Sequence, residues 1–391
     1  MRALLTCRSL AGHYRPLLPL ARSLGEAGHE VAFAVGEPVA GEAEAEGFTA
    51  FRVGPTTDFV EPLARRVRQR TASLPPSRIR PLVFTELFVG VELEPRANDL
   101  FEVVERWAPD VVIHDVAEFA APLVATTVGI PYVEHSYGPA IQNQVIRAAG
   151  EAAAPFWVSR GLEPHPLGGF YRYLYLDVCP PSLQSSEAVP GVVQGIRTVE
   201  TQPRDIELPW LRALTRLPIV YITLGTVYNH DLDVFRSLLN GFRDEELNIV
   251  VTVGTQNDPA MLGPQPSNVH MHRYIPQEQL LPHCAAVATH GGAGSTLGAL
   301  AFGLPLLVAP QGADQFYNAD RVVAAGAGIQ LMPDRLTAES ARDALRLLLH
   351  DDTYRDAAER TKHEFEAMPA PRQAVARLEQ LVGHSRARQQ R

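Results

Sequence analysis

The residues best suited to chemistry are His290-Gly291-Gly292-Ala293-Gly294-Ser295. An apolar run, Ala285 to Thr289, leads into them, and a helical pattern, Thr296 to Phe302, leads out. A strand, a tight glycine turn and a helix thus follow one another. Such a turn leaves backbone N–H groups unpaired at the positive end of a helix dipole. That makes it a cradle for phosphate. The N–H groups around Gly292 and Gly294, the Ser295 hydroxyl and the His290 imidazole are the candidate anion ligands. A second polar cluster, Gln311-Gly312-Ala313-Asp314-Gln315, follows the next apolar strand, 304–310. Two strand ends on one sheet edge then bring a phosphate site close to a carboxylate, which accepts hydrogen bonds, and an amide, which both donates and accepts. Holding a sugar joined to a diphosphate requires such a set. Asp314 alone is also suited to cap a helix over 316–325.

A second set lies near the N-terminus. His13 follows a short apolar strand, 2–6, in the kind of loop where open α/β sheets place their ligands. An imidazole titrates near neutrality and is suited to act as a base. Asp115 ends the apolar run 110–114, also at a strand end. A carboxylate there would hold an imidazole in one tautomer and stabilise its charged form. Its bland alternative is capping the helix that starts near Glu118. His114 should point to the opposite face by strand alternation and serve structure. Asp231-Leu232-Asp233 and Asp351-Asp352 sit at helix starts, where acids suit the dipole. They are read as caps, and no metal site is expected.

Strands and helices must alternate to position these groups. In the first half, strands are expected over 2–6, 31–35, 50–53, 110–114 and 130–134, with helices over 17–26, 39–46 and 118–128 between them. A second series begins at 219–223 and continues through 249–253, 269–272, 287–290 and 304–309. Such alternation implies parallel sheets covered on both faces. The pattern loosens over 55–96 and 138–176, which read as irregular binding loops or covers. Residues 200–218, rich in proline and charge, read as an interdomain linker. Thr337 should cap a helix over 338–349. A last amphipathic helix is expected over 372–382, with a frayed tail from 383 to 391.

The chain of 391 residues is long enough for two domains. Its 46% hydrophobic and 20% charged residues are ordinary for a globular enzyme. A net charge of −9 argues against nucleic-acid binding. No apolar run reaches the roughly 18–20 residues needed to span a bilayer. The N-terminal run, soon interrupted by Arg8, is not a secretory signal, so a cytoplasmic location is expected. Cys7, Cys179 and Cys284 are odd in number and widely spaced, which suits neither a disulfide framework nor zinc. The first strand leads to Ser9-Leu10-Ala11-Gly12-His13, with no G-x-G-x-x-G, which disfavours a nicotinamide enzyme.

The stretch 268–331 resembles the nucleotide-sugar signature of the family 1 glycosyltransferases, above all the actinobacterial enzymes that glycosylate antibiotics. Its elements run in the family's order: Tyr274-Ile275-Pro276-Gln277, Leu280-Leu281, the His290 turn, Gly303-Leu304-Pro305, Asp314-Gln315 and Asn318-Ala319. The run Gly12 to Leu20, with Gly28-His29-Glu30-Val31 after it, is similar to the family's first loop and helix, and Leu224-Gly225-Thr226 also matches. The resemblance implies the GT-B fold, with two Rossmann-like domains facing each other across a cleft. An acceptor domain over 1–205, a nucleotide-sugar domain over 206–371 and a final helix crossing back over 372–391 are then expected. It implies an inverting transfer without metal or cofactor. His13 would be the base and Asp115 its orienting partner. Gly225, Thr226, Tyr274, Ile275, His290, Gly292, Gly294, Ser295, Asp314 and Gln315 would hold the donor. Tyr274 would stack on the base, and Ile275 would offer its backbone to the base edge. Plant members carry Glu where Gly298 stands; losing that ribose partner favours a dTDP-sugar over a UDP-sugar. The other partner would be a small hydrophobic aglycone, and a homodimer is compatible with this picture. The alternatives are an epimerase or hydrolase of the same fold, and a non-catalytic helper of a partner transferase; the intact His13, Asp115, His290 and Asp314 argue against the helper.

Overall fold

The computed structural model describes residues 1–71, 74–185, 187, 189–199, 208–214, 216–225 and 231–389. The chain divides into two compact units. One comprises Met1–Val178, Ser185–Thr198 and Pro369–Arg391; the other comprises Cys179–Gln184 and Val199–Met368.

The first unit is built on seven strands: β1 (Arg2–Thr6), β2 (Glu30–Val35), β3 (Thr49–Arg52), β4 (Val111–Asp115), β5 (Tyr132–His135), β6 (Leu174–Asp177) and β7 (Val193–Gly195). They lie in the order 3-2-1-4-5-6-7, all parallel. The order turns back on itself between β1 and β4, and an open α/β sheet leaves a crevice at that point. Both faces are covered, so the strands read as continuous apolar runs rather than alternating ones. One face carries Leu4, Ala32, Val112 and Tyr132. They pack with Leu100 and Val104 of helix Leu93–Trp107 and with Leu123 of helix Ala120–Val128. Each buried leucine or valine among them contributes about 1.5–3 kcal/mol of burial. Helix Ala120–Val128 stops where Gly129 turns left-handed at φ 75°, which returns the chain to β5.

The second unit repeats the plan with β8 (Ile219–Thr223), β9 (Asn248–Thr252), β10 (Val269–His272), β11 (Ala286–Thr289), β12 (Leu306–Val308) and β13 (Gly328–Gln330). The order is 3-2-1-4-5-6 in the unit's own count, again all parallel. Val220, Ile222, Val251 and Leu307 pack against Leu238 and Leu345, from helices Leu232–Phe242 and Ala338–His350. Asp231, Thr337 and Asp351 each cap a helix through the side chain, the role expected for the two acidic pairs and for Thr337.

Several expectations need correction. Residues 55–96 are mostly helical, with Thr57–Thr71, Pro76–Val83 and a π-helical turn Phe84–Val89 leading into Leu93–Trp107. Pro62 and Pro81 lie inside helices, and these prolines are what made the stretch read as loop. Helix Asn143–Val158 likewise runs through the second supposed loop. The last helix does not fray at 383 but continues as Pro371–Gln389. The proposed domain boundary at 205–206 and Thr226 lie outside the described residues.

Candidate active site

In the first unit the crevice between β1 and β4 brings His13 and Asp115 together. His13 lies in the short helix Ala11–Tyr14 just beyond β1, and Asp115 is the last residue of β4. The imidazole Nδ1 is 2.7 Å from Asp115 Oδ2. Asp115 is almost fully buried, while the His13 side chain keeps 14% of its surface open. Oδ2 also accepts the Arg8 backbone N–H at 3.2 Å, and Oδ1 accepts that of Ala117 at 2.6 Å. Burial alone would raise the Asp115 pKa. The His13 charge, its hydrogen bond and the N–H groups of Ala117 and Arg8 outweigh that and hold it below the usual carboxylate value. Asp115 is therefore an anion that fixes one imidazole nitrogen as a donor and leaves Nε2 as the nitrogen able to take a proton. Capping of helix Ala120–Val128 falls instead to Glu118, which accepts the N–H groups of Ala120 and Ala121 at 2.7 and 3.0 Å.

Behind this pair lies a polar scaffold that sequence reading missed. The Arg8 guanidinium bonds Glu92 twice, at 2.6 and 3.1 Å, and stacks 3.9 Å from the centroid of the Phe88 ring. Burial works against the Arg8 charge. Glu92 above all, then Asp115 and Tyr137, outweigh it and hold the Arg8 pKa above its ordinary value. Arg96, also buried, donates to the Cys7 carbonyl at 3.1 Å. The loop carrying His13 is thus pinned from below by two residues at the start of helix Leu93–Trp107. Nothing in the sequence announced this, because an arginine in an irregular-looking stretch reads as a solvated one. His114 points to the other face, as alternation demands: its Nδ1 lies 2.9 Å from the Asp115 carbonyl and its Nε2 lies 3.7 Å from Glu134.

In the second unit the corresponding crevice lies between β8 and β11. His290 follows β11 and is packed against Gly225, which follows β8. A Cβ at Gly225 would lie 2.6 Å from His290 Cε1, and one at Gly292 would lie 2.5 Å from Nε2. Both glycines exist to admit the imidazole, and at φ 70° Gly225 also has a backbone that other residues rarely adopt. Burial pushes the His290 imidazole down to about 4, against a weaker opposing pull from Asp314. It is a neutral hydrogen-bonding group near neutral pH, not a cation. Gly292 is the N-cap of helix Ala293–Ala301 and has no side chain to satisfy the first-turn N–H groups. A Cβ at Gly294 would meet nothing within 4 Å, so protein packing does not require that glycine. Ser295 Oγ accepts from Gln277 Nε2 at 3.1 Å, which leaves the hydroxyl proton free to be given elsewhere.

Asp314 stands at the N-cap of helix Gln315–Ala324 but makes no cap bond. Its Oδ2 accepts instead from Asn318 Nδ2 at 2.9 Å, and the same nitrogen donates to the Gly291 carbonyl at 2.8 Å. Asn318, one helical turn beyond Asp314, therefore ties the two strand-end clusters together. Gln315 is 1% exposed and its Oε1 accepts from the N–H groups of Gln311 and Gly312, at 2.8 and 3.1 Å, so the accepting half of the amide shapes the turn. Tyr274 is 47% exposed, and Ile275 beside it is buried. A Cβ at Gly298 would lie 3.4 Å from Gln277 Oε1, so a carbonyl oxygen already stands beside the missing side chain. Among the described residues, no three His, Cys, Asp or Glu side chains are grouped so as to hold a metal ion, and no helix is long and apolar enough to cross a membrane.

Comparison with known proteins places this geometry. Residues 22–225 and 236–381 match the N-terminal and C-terminal domain models described as erythromycin biosynthesis protein CIII-like. The L-demethylnoviosyl transferase of Streptomyces niveus is 34% identical over 95% of this chain and 96% of its own. The tylactone mycaminosyltransferase of Streptomyces fradiae is 30% identical over 98% and 92%. The structure of spinosyn rhamnosyltransferase SpnG complexed with thymidine diphosphate superposes with a TM-score of 0.82 at 25% identity, covering 97% of this chain and all of that one. The fold is that of these two-domain transferases.

Proposed function

We infer the function from one premise: the chain belongs to the erythromycin biosynthesis protein CIII-like family of antibiotic-biosynthesis enzymes, and it is a glycosyltransferase. The reading is an inverting, metal-independent transfer of a deoxysugar from a dTDP-sugar to a hydroxyl of a small hydrophobic natural product. The first unit binds the acceptor and the second binds the donor. His13 Nε2 takes the acceptor proton while the acceptor oxygen attacks the anomeric carbon. The bond from that carbon to the diphosphate breaks with inversion, and the diphosphate leaves with the electron pair. Asp115 stabilises the imidazolium as it forms and keeps it in one tautomer. In the second unit the free N–H groups at the start of helix Ala293–Ala301, with the Ser295 hydroxyl, receive the charge that grows on the leaving group. Asp314, placed by Asn318, accepts from the sugar hydroxyls.

The observation that carries this reading is the 2.7 Å contact between an open imidazole and a buried carboxylate at the crevice of the first sheet. The relatives include an L-demethylnoviosyl transferase and a tylactone mycaminosyltransferase, which supports sugar transfer to a natural product, and SpnG holds thymidine diphosphate, which supports the donor class. The test is a mass-spectrometric screen of dTDP-sugars and their UDP counterparts against aromatic and macrolide aglycones, with and without EDTA. A glycosylated product formed from a dTDP donor in EDTA is expected. Turnover only with UDP donors, or only after magnesium or manganese is restored, would reject the donor or the metal-free reading respectively.

A further inference from the structure

We propose that Tyr137 is a second clamp on the His13 imidazole, a positioning residue that keeps Nε2 aimed at the acceptor hydroxyl. The proposal rests on His13 acting as the base. The two rings meet edge to face, with centroids 4.7 Å apart and planes at 62°, the geometry that aromatic quadrupoles favour. The placement follows from the sheet. β5 ends at His135, whose partner across the sheet is Asp115 at the end of β4. Two residues further on, alternation returns the side chain to the face that carries Asp115. Tyr137 is thereby delivered beside the residue that Asp115 holds.

The need for it is mechanical. One hydrogen bond fixes one atom of the imidazole. With Cγ held by its bond to the side chain and Nδ1 held by Asp115, the ring can still tilt about the line through those two atoms, and the tilt carries Nε2, which lies off that line. A base must sit within about 3 Å of the proton it takes, and a misplacement of about 1 Å has a large effect on rate. Asp115 cannot supply the second constraint, because its remaining oxygen is committed to Ala117. The Tyr137 ring supplies it from the side. Tyr137 remains only half-buried beside the open imidazole, so the chief competing role is that of a wall contacting the acceptor.

Two measurements on the full chain separate these roles. In steady state, Tyr137→Ala and Tyr137→Leu should lower kcat about tenfold or more at saturating substrates, with the donor KM within about twofold, and Tyr137→Phe should restore turnover to within about threefold. In a His13→Ala background, adding Tyr137→Ala should change the residual turnover by less than about twofold, because there is no imidazole left to position. In the unliganded protein, NMR of 15N-histidine-labelled chain should show a slowly exchanging His13 Nδ1–H proton, identified by its loss in His13→Ala. That signal should persist in Tyr137→Phe and broaden or vanish in Tyr137→Ala. The proposal is overturned if Tyr137→Ala keeps wild-type kcat, or if it costs as much without His13 as with it, which would make Tyr137 an acceptor wall. An unchanged Nδ1–H signal in Tyr137→Ala overturns it as well. Should His13→Ala itself turn over normally, the base reading fails, and the NMR result still decides whether Tyr137 fixes the ring.

Discussion

His290 sits where it does because Gly225 and Gly292 have no side chains, and that dependence has two measurable consequences. Gly225→Ala or Gly292→Ala should displace the imidazole, since the new methyl would lie within 2.8 Å of Nε2 in both cases. Donor affinity, read by calorimetry with dTDP, should fall together with stability; unchanged affinity in both would show that the imidazole is not needed there. The second consequence is pH dependence. His290 titrates at about 4 in the fold and near ~6.5 in the unfolded chain. Between those values the unfolded state binds the extra proton, so stability falls as pH drops from ~6.5 toward ~4 and loses nothing further below that. About 2.5 pH units correspond to roughly 3 kcal/mol. His135, buried in the first unit and also pushed down to about 4, adds the same sign there. Asp115 behaves differently: its folded pKa is depressed, so its contribution is present above about pH 4 and is lost only in stronger acid. Urea unfolding between about pH 7 and 4.5 should show a shallower acid loss in His290→Gln; an unchanged slope would exclude His290 as a source. At the chemical step, His13→Ala should cost roughly 10²–10⁴-fold in turnover with dTDP affinity barely altered, and Asp115→Asn should cost less. Single-turnover rates with both substrates saturating give the comparison, and near-normal turnover in His13→Ala would remove the base assignment. His13, Asp115 and His290 are legible in the sequence because each ends or follows an apolar run, and parallel sheets put their ligands there. Arg8, Glu92 and Tyr137 are not, because their roles come from partners dozens of residues away, and Asn318 is legible only as part of the family's signature, without its role.

Among the elements, helix Ala293–Ala301 offers the sharpest separation of folding from function. Gly294 occupies open space inside a helix, where glycine costs about 0.5–1 kcal/mol relative to alanine. Gly294→Ala should therefore leave the melting temperature equal or higher, yet weaken dTDP binding by crowding the N–H groups. A variant that binds dTDP as before would show that no ligand approaches this turn closely. Gly298→Glu places a carboxylate on the neighbouring turn of the same helix and should narrow the preference for dTDP over UDP donors, by about 1 kcal/mol for one net hydrogen bond. Gln277 Oε1 must yield a little to admit it. An unchanged ratio of kcat/KM for the two donors would mean that Gly298 does not face the ribose. The strands are the elements the sequence declares best: 2–6, 219–223 and 269–272 run as read, the other expected strands shift by a residue or two, and β6, β7 and β13 go unread. The helices over 57–107 hid behind arginines and internal prolines, since a helix that buries one stripe and carries Arg on the rest resembles a loop in composition. That a proline can lie within such a helix is decided by packing, not by propensity.

On the scale of the whole chain, the last helix is the notable piece. Pro371–Gln389 packs on helix Leu18–Glu26, with Glu379 Oε1 at 3.0 Å from His29 Nε2 and Arg386 paired with Asp110. Ala374, Leu378 and Val382 are buried on it. Deleting 371–391 should strip this cover from the first unit alone. Hydrogen exchange should then quicken in helix Leu18–Glu26 and in β2 while the β8–β11 core keeps its protection; uniform loss across both units would contradict this. The amphipathic pattern of that helix is visible in the sequence, but apolar spacing tells that a face is buried and not against what; only the family resemblance points to the first unit as its partner. The same helix sets a schedule for the newborn protein. The first unit is begun before the second and completed after it, because 199–368 are spent on the other unit. At about 5–20 residues per second, those intervening residues take roughly 10–30 s to make. For that interval the first sheet waits with the apolar flank of helix Leu18–Glu26 open to solvent, and the second unit can fold before the first is finished. A nascent chain of this enzyme is thus completed in the reverse of its reading order, and its first unit is the half that chaperones would have to shelter.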